Sequence, residues 1–335
     1  MNHRRTAGAL LIAALVLLAT LVTPSTAGAS PTSVTKIGAW SQFGSWTAFN
    51  AGAGQMDVYR GYDNGFNFAT WAQVPAGHRY RGPQNLASVI NDYSFQIPPA
   101  QLAGSTVWDD RLAAFIASTP KNVVLTNQHE PEQEIAAGHF TAAQFRAAQV
   151  KLNRMVDAQN ARDGGTRKVS VILMISTFTG FKGRVVTDYW PTLARDGGVV
   201  DLISADVYNA PHATGTAGVP LGYTDGVNWK TAAGLVRPVL TFAKKNGVDW
   251  AISELGILED VNNPMHKSQT MREVVDIARS GRTGTLTWRP ALWVSYWNSK
   301  GGRADWGLRF DNPPVPSETT SSNAYQTWRA IAALP

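Results

Sequence analysis

Cysteine is absent from all 335 residues, histidine occurs six times, and charged residues make up only 16% of the chain. The first absence excludes disulfides, thiolate nucleophiles and cysteine-type metal sites, so the chain must hold itself together by its core. Long basic runs are missing too. The formal charge is +6, and lysine and arginine gather no further than pairs such as Lys244-Lys245, which argues against a nucleic-acid partner. No Gly-x-Ser-x-Gly elbow occurs, so a serine-histidine-aspartate hydrolase has no support. A phosphate-binding glycine loop is also lacking, because Gly52-Ala53-Gly54 has no third glycine. His78, His139, His212 and His266 are scattered rather than paired as metal ligands, so neither a metal nor another cofactor is expected.

What is present begins with the leader. Arg4-Arg5 precede a long apolar stretch from Ala9 to Val22, and Ala27-Gly28-Ala29 is a small-residue cleavage pattern. That layout predicts a secretory signal peptide over residues 1–29 and a secreted, extracellular domain over 30–335. A membrane-anchoring helix is the alternative, but the apolar core is short and ends in Thr-Pro-Ser-Thr rather than in positive charge. Loss of Arg4 and Arg5 would lower the formal charge from +6 to +4. The twelve tryptophans and nine tyrosines are many for so few charges. Any one of them fills a core by default. Together they suit a neutral polymer with apolar ring faces, namely a polysaccharide or oligosaccharide. A monomer is expected.

Apolar runs of strand length alternate with helix-length segments. The strands are expected at 36–40, 56–62, 87–93, 122–127, 169–176, 200–208, 249–254 and 292–297. Helices are expected at 109–118, 141–160, 231–246, 268–280 and 323–334. Runs apolar throughout fit strands buried on both faces, and strand–helix alternation argues for parallel pairing. Eight such strands in about 300 residues give the α/β class as a single (β/α)8 TIM barrel. A doubly wound open sheet is the runner-up.

In such a barrel the active site lies at the carboxyl ends of the strands. The fourth run ends in Asn127-Gln128-His129-Glu130-Pro131 and the seventh in Ser253-Glu254-Leu255-Gly256. Glu130 alone, or Glu254 alone, reads as a surface or capping carboxylate. As a pair three strands apart they match the needs of glycoside hydrolysis, in which one carboxylic acid protonates the leaving oxygen and one carboxylate attacks the anomeric carbon. Glu132 and Glu134 read as first-turn carboxylates of the following helix, where the dipole favours negative charge. Asp206 and Tyr208 close the sixth run, and Trp297 closes the eighth. Arg60 in "VYRGY" is a surface arginine or an inward charge that lowers the pKa of Glu254. Trp40, Trp46, Trp71 and Trp306 are packing residues or sugar platforms.

The His129-Glu130 pair and "SELG" at 253–256 resemble clan A retaining glycoside hydrolases, most of all glycoside hydrolase family 26 of β-mannanases and β-1,3-xylanases. The resemblance implies a (β/α)8 barrel with Glu130 as acid/base and Glu254 as nucleophile. It further implies that His129 hydrogen-bonds beside the anomeric carbon, that Tyr208 steers the Glu254 carboxylate and that Trp297 floors the sugar at the cleavage point. Asn127, Asp206, Arg60 and Trp40 complete the expected substrate-binding set. Pro131-Glu132 departs from the family's continuation, which puts the mannan substrate rather than the mechanism in doubt. Retaining chemistry implies carboxyls roughly 5–5.5 Å apart. A carbohydrate-binding barrel without turnover is the rival from another class.

Overall fold

The computed structural model describes residues 35–41, 56–75, 89–165, 169–177, 180–181, 185–210, 223–298, 300–301, 304–305 and 319–333. The expected leader, Trp46, Trp306, His78 and His212 lie outside these residues, as does the side chain of Trp40. The description therefore concerns the unit Val34–Pro335.

Aliphatic and β-branched residues fill eight barrel strands. They are β1 (Lys36–Ser41), β2 (Val58–Tyr62), β3 (Ile90–Phe95), β4 (Val123–Asn127), β5 (Val169–Ser176), β6 (Leu202–Asn209), β7 (Asp249–Ile257) and β8 (Trp293–Asn298). Each pairs with its sequence neighbour in parallel, and β8 pairs with β1, so the sheet closes. The protein is a (β/α)8 barrel, and the open sheet is excluded. The third strand pairs from Ile90, and the expected start at Ala87 lies outside the described residues. It also runs on to Phe95, which packs in the core with Tyr93. Asn122 stands in the left-handed region at φ 65°, a turn conformation that delays the start of β4 to Val123.

Side-chain alternation sorts the strand residues into two layers. Val58, Val124, Ile172, Leu202, Ala251 and Trp293 form an apolar cluster inside the barrel floor. Their neighbours in sequence, such as Tyr59, Leu125, Leu173, Ile203 and Val294, join the outer core against the helices. Those helices start where cap residues satisfy their free amides. Thr141 accepts from the Gln144 amide ahead of Ala142–Arg162, and Thr231 accepts from Gly234 ahead of Ala232–Asn246. Gly247 and Gly281 adopt left-handed φ of 70° and 61° to end Ala232–Asn246 and His266–Ser280. Among the described residues no helix is long and apolar enough to cross a membrane.

Candidate active site

Above the apolar floor the inward positions turn polar. Arg60 on β2 and Asp92 on β3 are both fully buried, with Nη1 and Oδ1 3.5 Å apart. The Arg60 Nη2 reaches upward to within 3.7 Å of Glu254 Oε1 and donates to the Met174 sulfur at 3.0 Å. The guanidinium lies 4.1 Å from the centre of the Tyr62 ring. Two residues above Arg60 on the same strand face, the Tyr62 hydroxyl donates to Glu254 Oε1, and the Tyr208 hydroxyl from β6 donates to Oε2. Glu254 is thus a buried carboxylate held by two phenols and underlain by a guanidinium.

Strict alternation along β7 would not put it there. Trp250 and Ile252 face the helices, so residue 254 should follow them. The register of β7 against β6 shifts after Ala205, with Ala205 opposite Ile252 but Asp206 opposite Glu254. The pairing with β8 shifts as well, between Val294 and Tyr296. Ser253 is the extra residue of this bulge, and its amide and hydroxyl meet the Ser204 hydroxyl at 3.0 and 2.7 Å. The next residue to rejoin the outer core is Leu255, three positions after Ile252. The bulge turns Glu254 into the barrel mouth.

Glu130 is aimed by a different device. Gln128 and Glu130 both adopt left-handed backbone, with φ of 62° and 47°. The Gln128 amide is bonded to Phe95 O at 2.9 Å and that of Glu130 to Met174 O at 3.2 Å, so β3 and β5 pin the turn from either side. The helix Pro131–Ala136 then begins at once, with proline at its first position. Glu132 sits in that first turn but is buried, and its Oε1 accepts from the Ser176 amide at 2.6 Å. It therefore also ties the turn to the end of β5.

Burial raises the Glu130 carboxyl above the ordinary carboxylate value, against the pull of Arg60. The same two causes act on Glu254, where burial outweighs Arg60 and pushes it up to about 7. Asp206 is fully buried, and among the described residues neither carboxylate oxygen has a hydrogen-bond partner. Burial first, then the Glu130 charge, hold it well above its usual range. His129 meets the Tyr62 ring edge-on at 5.1 Å. Burial and then the Arg60 charge lower it to about 3, so its imidazole is neutral. Its Nδ1 is buried without a hydrogen-bond partner among the described residues. Trp297, on the inward face of β8 beyond Trp293 and Ser295, stands edge-on to Tyr62 at 5.4 Å. The backbone of Trp40 lies opposite Trp297 in the β1–β8 register.

The structure thus gathers Glu130, Glu254, His129, Tyr208, Trp297, Asp206 and Arg60 around one end of the barrel. Three of the expected substrate contacts, Asn127, Arg60 and Asp206, are placed away from the open mouth. Asn127 points outward: its side chain accepts from the Ile97 amide at 2.8 Å and donates to the Ile97 carbonyl at 3.1 Å. Alternation explains this, since Val123, Leu125 and Asn127 share the helix-facing side of β4. Arg60 and Asp206 are fully buried, so they act on the carboxylates by charge and proton affinity rather than by touching a sugar. Trp71 is likewise a core residue, edge-on to Tyr93 at 5.4 Å. Tyr62 is the residue that strand-end reasoning passes over. Its signal lies in the spacing, two residues from Arg60 on a strand of period 2. Among the described residues no group of three or more His, Asp or Glu is placed to hold a metal ion.

No family model matches the sequence, and no curated protein matches it. Solved structures do. GH26C from Muricauda sp. MAR_2010_75 superposes with a TM-score of 0.54 at 12% identity, covering 91% of this chain and 86% of that one. The catalytic domain of the Bacillus sp. JAMB-750 GH26 endo-β-1,4-mannanase follows at 0.50 and 12% identity, covering 89% and 85%. The likeness establishes the fold. A Cellulomonas fimi endo-β-1,4-mannanase double mutant matches at 17% identity with a TM-score of 0.43, covering 74% of this chain; this chain spans about half of that protein, 55%.

Proposed function

We propose that the protein is a retaining glycoside hydrolase acting on β-linked polysaccharide, with Glu254 as nucleophile and Glu130 as acid/base. The observation that carries this reading is the bulge in β7, which takes Glu254 off the helix-facing side and delivers it to two tyrosine hydroxyls in the barrel mouth. A carboxylate with purely structural duties gains nothing from a position that pushes its pKa up to about 7.

In the first step Glu254 attacks the anomeric carbon while Glu130 gives its proton to the leaving oxygen. A covalent glycosyl ester forms as the glycosidic bond breaks. In the second step Glu130 takes a proton from water, the water oxygen attacks the same carbon, and the ester bond breaks to return Glu254. The raised Glu130 suits a group that must carry a proton to the leaving oxygen. The two phenols and Arg60 favour the ionised form of Glu254. Neutral His129 and Trp297 are the groups offered to a sugar at the cleavage point.

β-Mannan is the favoured substrate, with β-xylan and β-glucan as alternatives, and the mode is endo-β-mannanase-like. The chain is read as exported and cleaved after Ala29. Support for the substrate comes from the His129-Glu130 and "SELG" motifs and from the GH26 endo-β-1,4-mannanase structure that shares the fold.

The test is reducing-sugar release by the mature protein from mannans, xylans and β-glucans, beside Glu254→Gln. Release that vanishes in the variant, with the product anomer retained by proton NMR, supports the reading. Binding to one polymer without release favours a non-hydrolytic carbohydrate-binding barrel.

A further inference from the structure

β4 and β5 pair only from Val123↔Val169 to Leu125↔Val171, although β4 runs on to Asn127 and β5 to Ser176. Their other neighbours keep pairing to the strand ends, β3 with β4 as far as Asn127 and β6 with β5 as far as Ser176. The ladder is therefore open between β4 and β5 just below the turn that carries Glu130. Three groups from 126–132 close it. The Thr126 hydroxyl donates to Ile172 O at 3.2 Å, the Glu130 amide donates to Met174 O at 3.2 Å, and Glu132 Oε1 accepts from the Ser176 amide at 2.6 Å. These partners are alternate residues of β5, so the segment follows that strand upward to its last residue.

We propose that Glu132 is a positioning residue for Glu130, and that its bond to the Ser176 amide fixes the direction of the acid/base carboxyl. The proposal rests on the glycosidase reading above for the role of Glu130.

Strain makes such an anchor necessary. Gln128 and Glu130 stand in the left-handed region, which residues with a Cβ keep only where their surroundings over-determine it. Upstream, the Gln128 amide is held by Phe95 O at 2.9 Å. Downstream stands a helix of six residues, Pro131–Ala136, too short to hold its own geometry in water. Buried Glu132 ties that helix to β5. Gly180 then covers the bond. Its amide donates to Ser176 O at 2.9 Å, and a Cβ on it would stand 2.7 Å from Glu132 Oε1, so the chain after β5 lies directly over the carboxyl. A hydrogen bond sheltered from water in this way is stronger than an exposed one. So covered, Glu132 offers no surface to a sugar and acts through Glu130.

Two variants separate the bond from the charge. Glu132→Asp keeps a carboxyl but draws its oxygen back from the Ser176 amide, whereas Glu132→Gln keeps an acceptor in place without a carboxyl. Both are assayed on 4-methylphenyl and 2,4-dinitrophenyl β-mannobiosides, β-xylobiosides and β-cellobiosides. The methylphenyl group needs a proton from Glu130 as its bond breaks, and the dinitrophenyl group departs as a stable anion without one. Glu132→Asp should lower kcat/KM on the methylphenyl glycoside about tenfold or more while leaving the dinitrophenyl value within about twofold. Glu132→Gln should stay near the wild type on both. Equal losses on the two leaving groups, or a Glu132→Gln that falls as far as Glu132→Asp, overturn the proposal. A second readout needs no turnover. It is the Glu130 carboxyl signal in carbon-13 NMR of glutamate-labelled protein, assigned with Glu130→Gln. Its titration midpoint should fall in Glu132→Asp, because a carboxyl released from burial regains water, and should hold in Glu132→Gln. An unmoved midpoint in Glu132→Asp likewise overturns the proposal. A moved midpoint, with no hydrolysis of any glycoside or polymer by the wild type, overturns the glycosidase reading instead and leaves the anchor standing.

Discussion

Tyr62 and Tyr208 each donate a hydroxyl to one oxygen of Glu254, and these bonds exist in full only while the carboxylate is ionised. Removing one donor costs the charged form more than the neutral form. Tyr62→Phe should therefore raise the Glu254 pKa above about 7. Because attack requires ionised Glu254, the acidic limb of the kcat/KM profile should move to higher pH, with activity at pH 6 falling about tenfold or more. A limb that stays in place would remove Tyr62 from the machinery. Burial of Glu254 also has a consequence for stability. Its folded pKa of about 7 lies above the ordinary 4.5, so its contribution to stability is fully present below about 4.5 and is lost as pH rises through about 7. Glu254→Gln has no such loss. Its melting temperature should exceed the wild type's at pH 8, by the equivalent of roughly 3 kcal/mol at most, and the difference should shrink toward pH 4.5. Calorimetry at both pH values checks this, and a constant difference would contradict it.

Individual elements are shaped to serve these side chains. The β7 bulge inserts Ser253 and turns Glu254 inward, while left-handed backbone at Gln128 and Glu130 curls the end of β4 over the barrel mouth. The turn needs a fixed base, and Asn127 supplies part of it through its two bonds to Ile97. Asn127→Ala leaves the Ile97 amide buried and unpaired and its carbonyl with only the longer Gln128 Nε2 bond at 3.3 Å, at a cost of about 2 kcal/mol. The melting temperature should fall by roughly 3 °C, and the pH profile should keep its shape because Asn127 faces away from the carboxylates. A shifted profile with unchanged stability would reverse this assignment. Strand ends carry motifs that can be read directly, as with His129-Glu130. The direction of each side chain was legible only where alternation held. Asn127 was open to correct placement by counting from Val124, whereas Glu254 was not, because a bulge leaves no mark in "AISELG".

At the scale of the whole molecule, closure of the sheet brings β2, β4, β6 and β7 to a common mouth. It also demands close approach where β1 meets β2. A Cβ on Gly38 would stand 2.2 Å from the Val58 carbonyl oxygen, so only glycine fits. Gly38→Ala should destabilise the barrel by about 1–3 kcal/mol through forced separation of the two strands. Denaturant unfolding reads this as a lower midpoint, and an unchanged midpoint would mean that the closure there is not tight. The buried Arg60 is likewise a product of closure, since Asp92 and Glu254, which balance its charge, come from β3 and β7.

By itself the sequence determined the number and order of strands, the parallel barrel, and the two glutamates at the ends of the fourth and seventh runs. Apolar runs, caps and motif residues are local, and the chain states them where they occur. Only the tertiary structure decided that Arg60 and Asp206 lie buried rather than open to a sugar, and that Asn127 clamps a loop. It alone supplied Tyr62 and the inward turn of Glu254. Burial, proton affinity and strand register depend on neighbours far apart in sequence, which come together only once the sheet has closed.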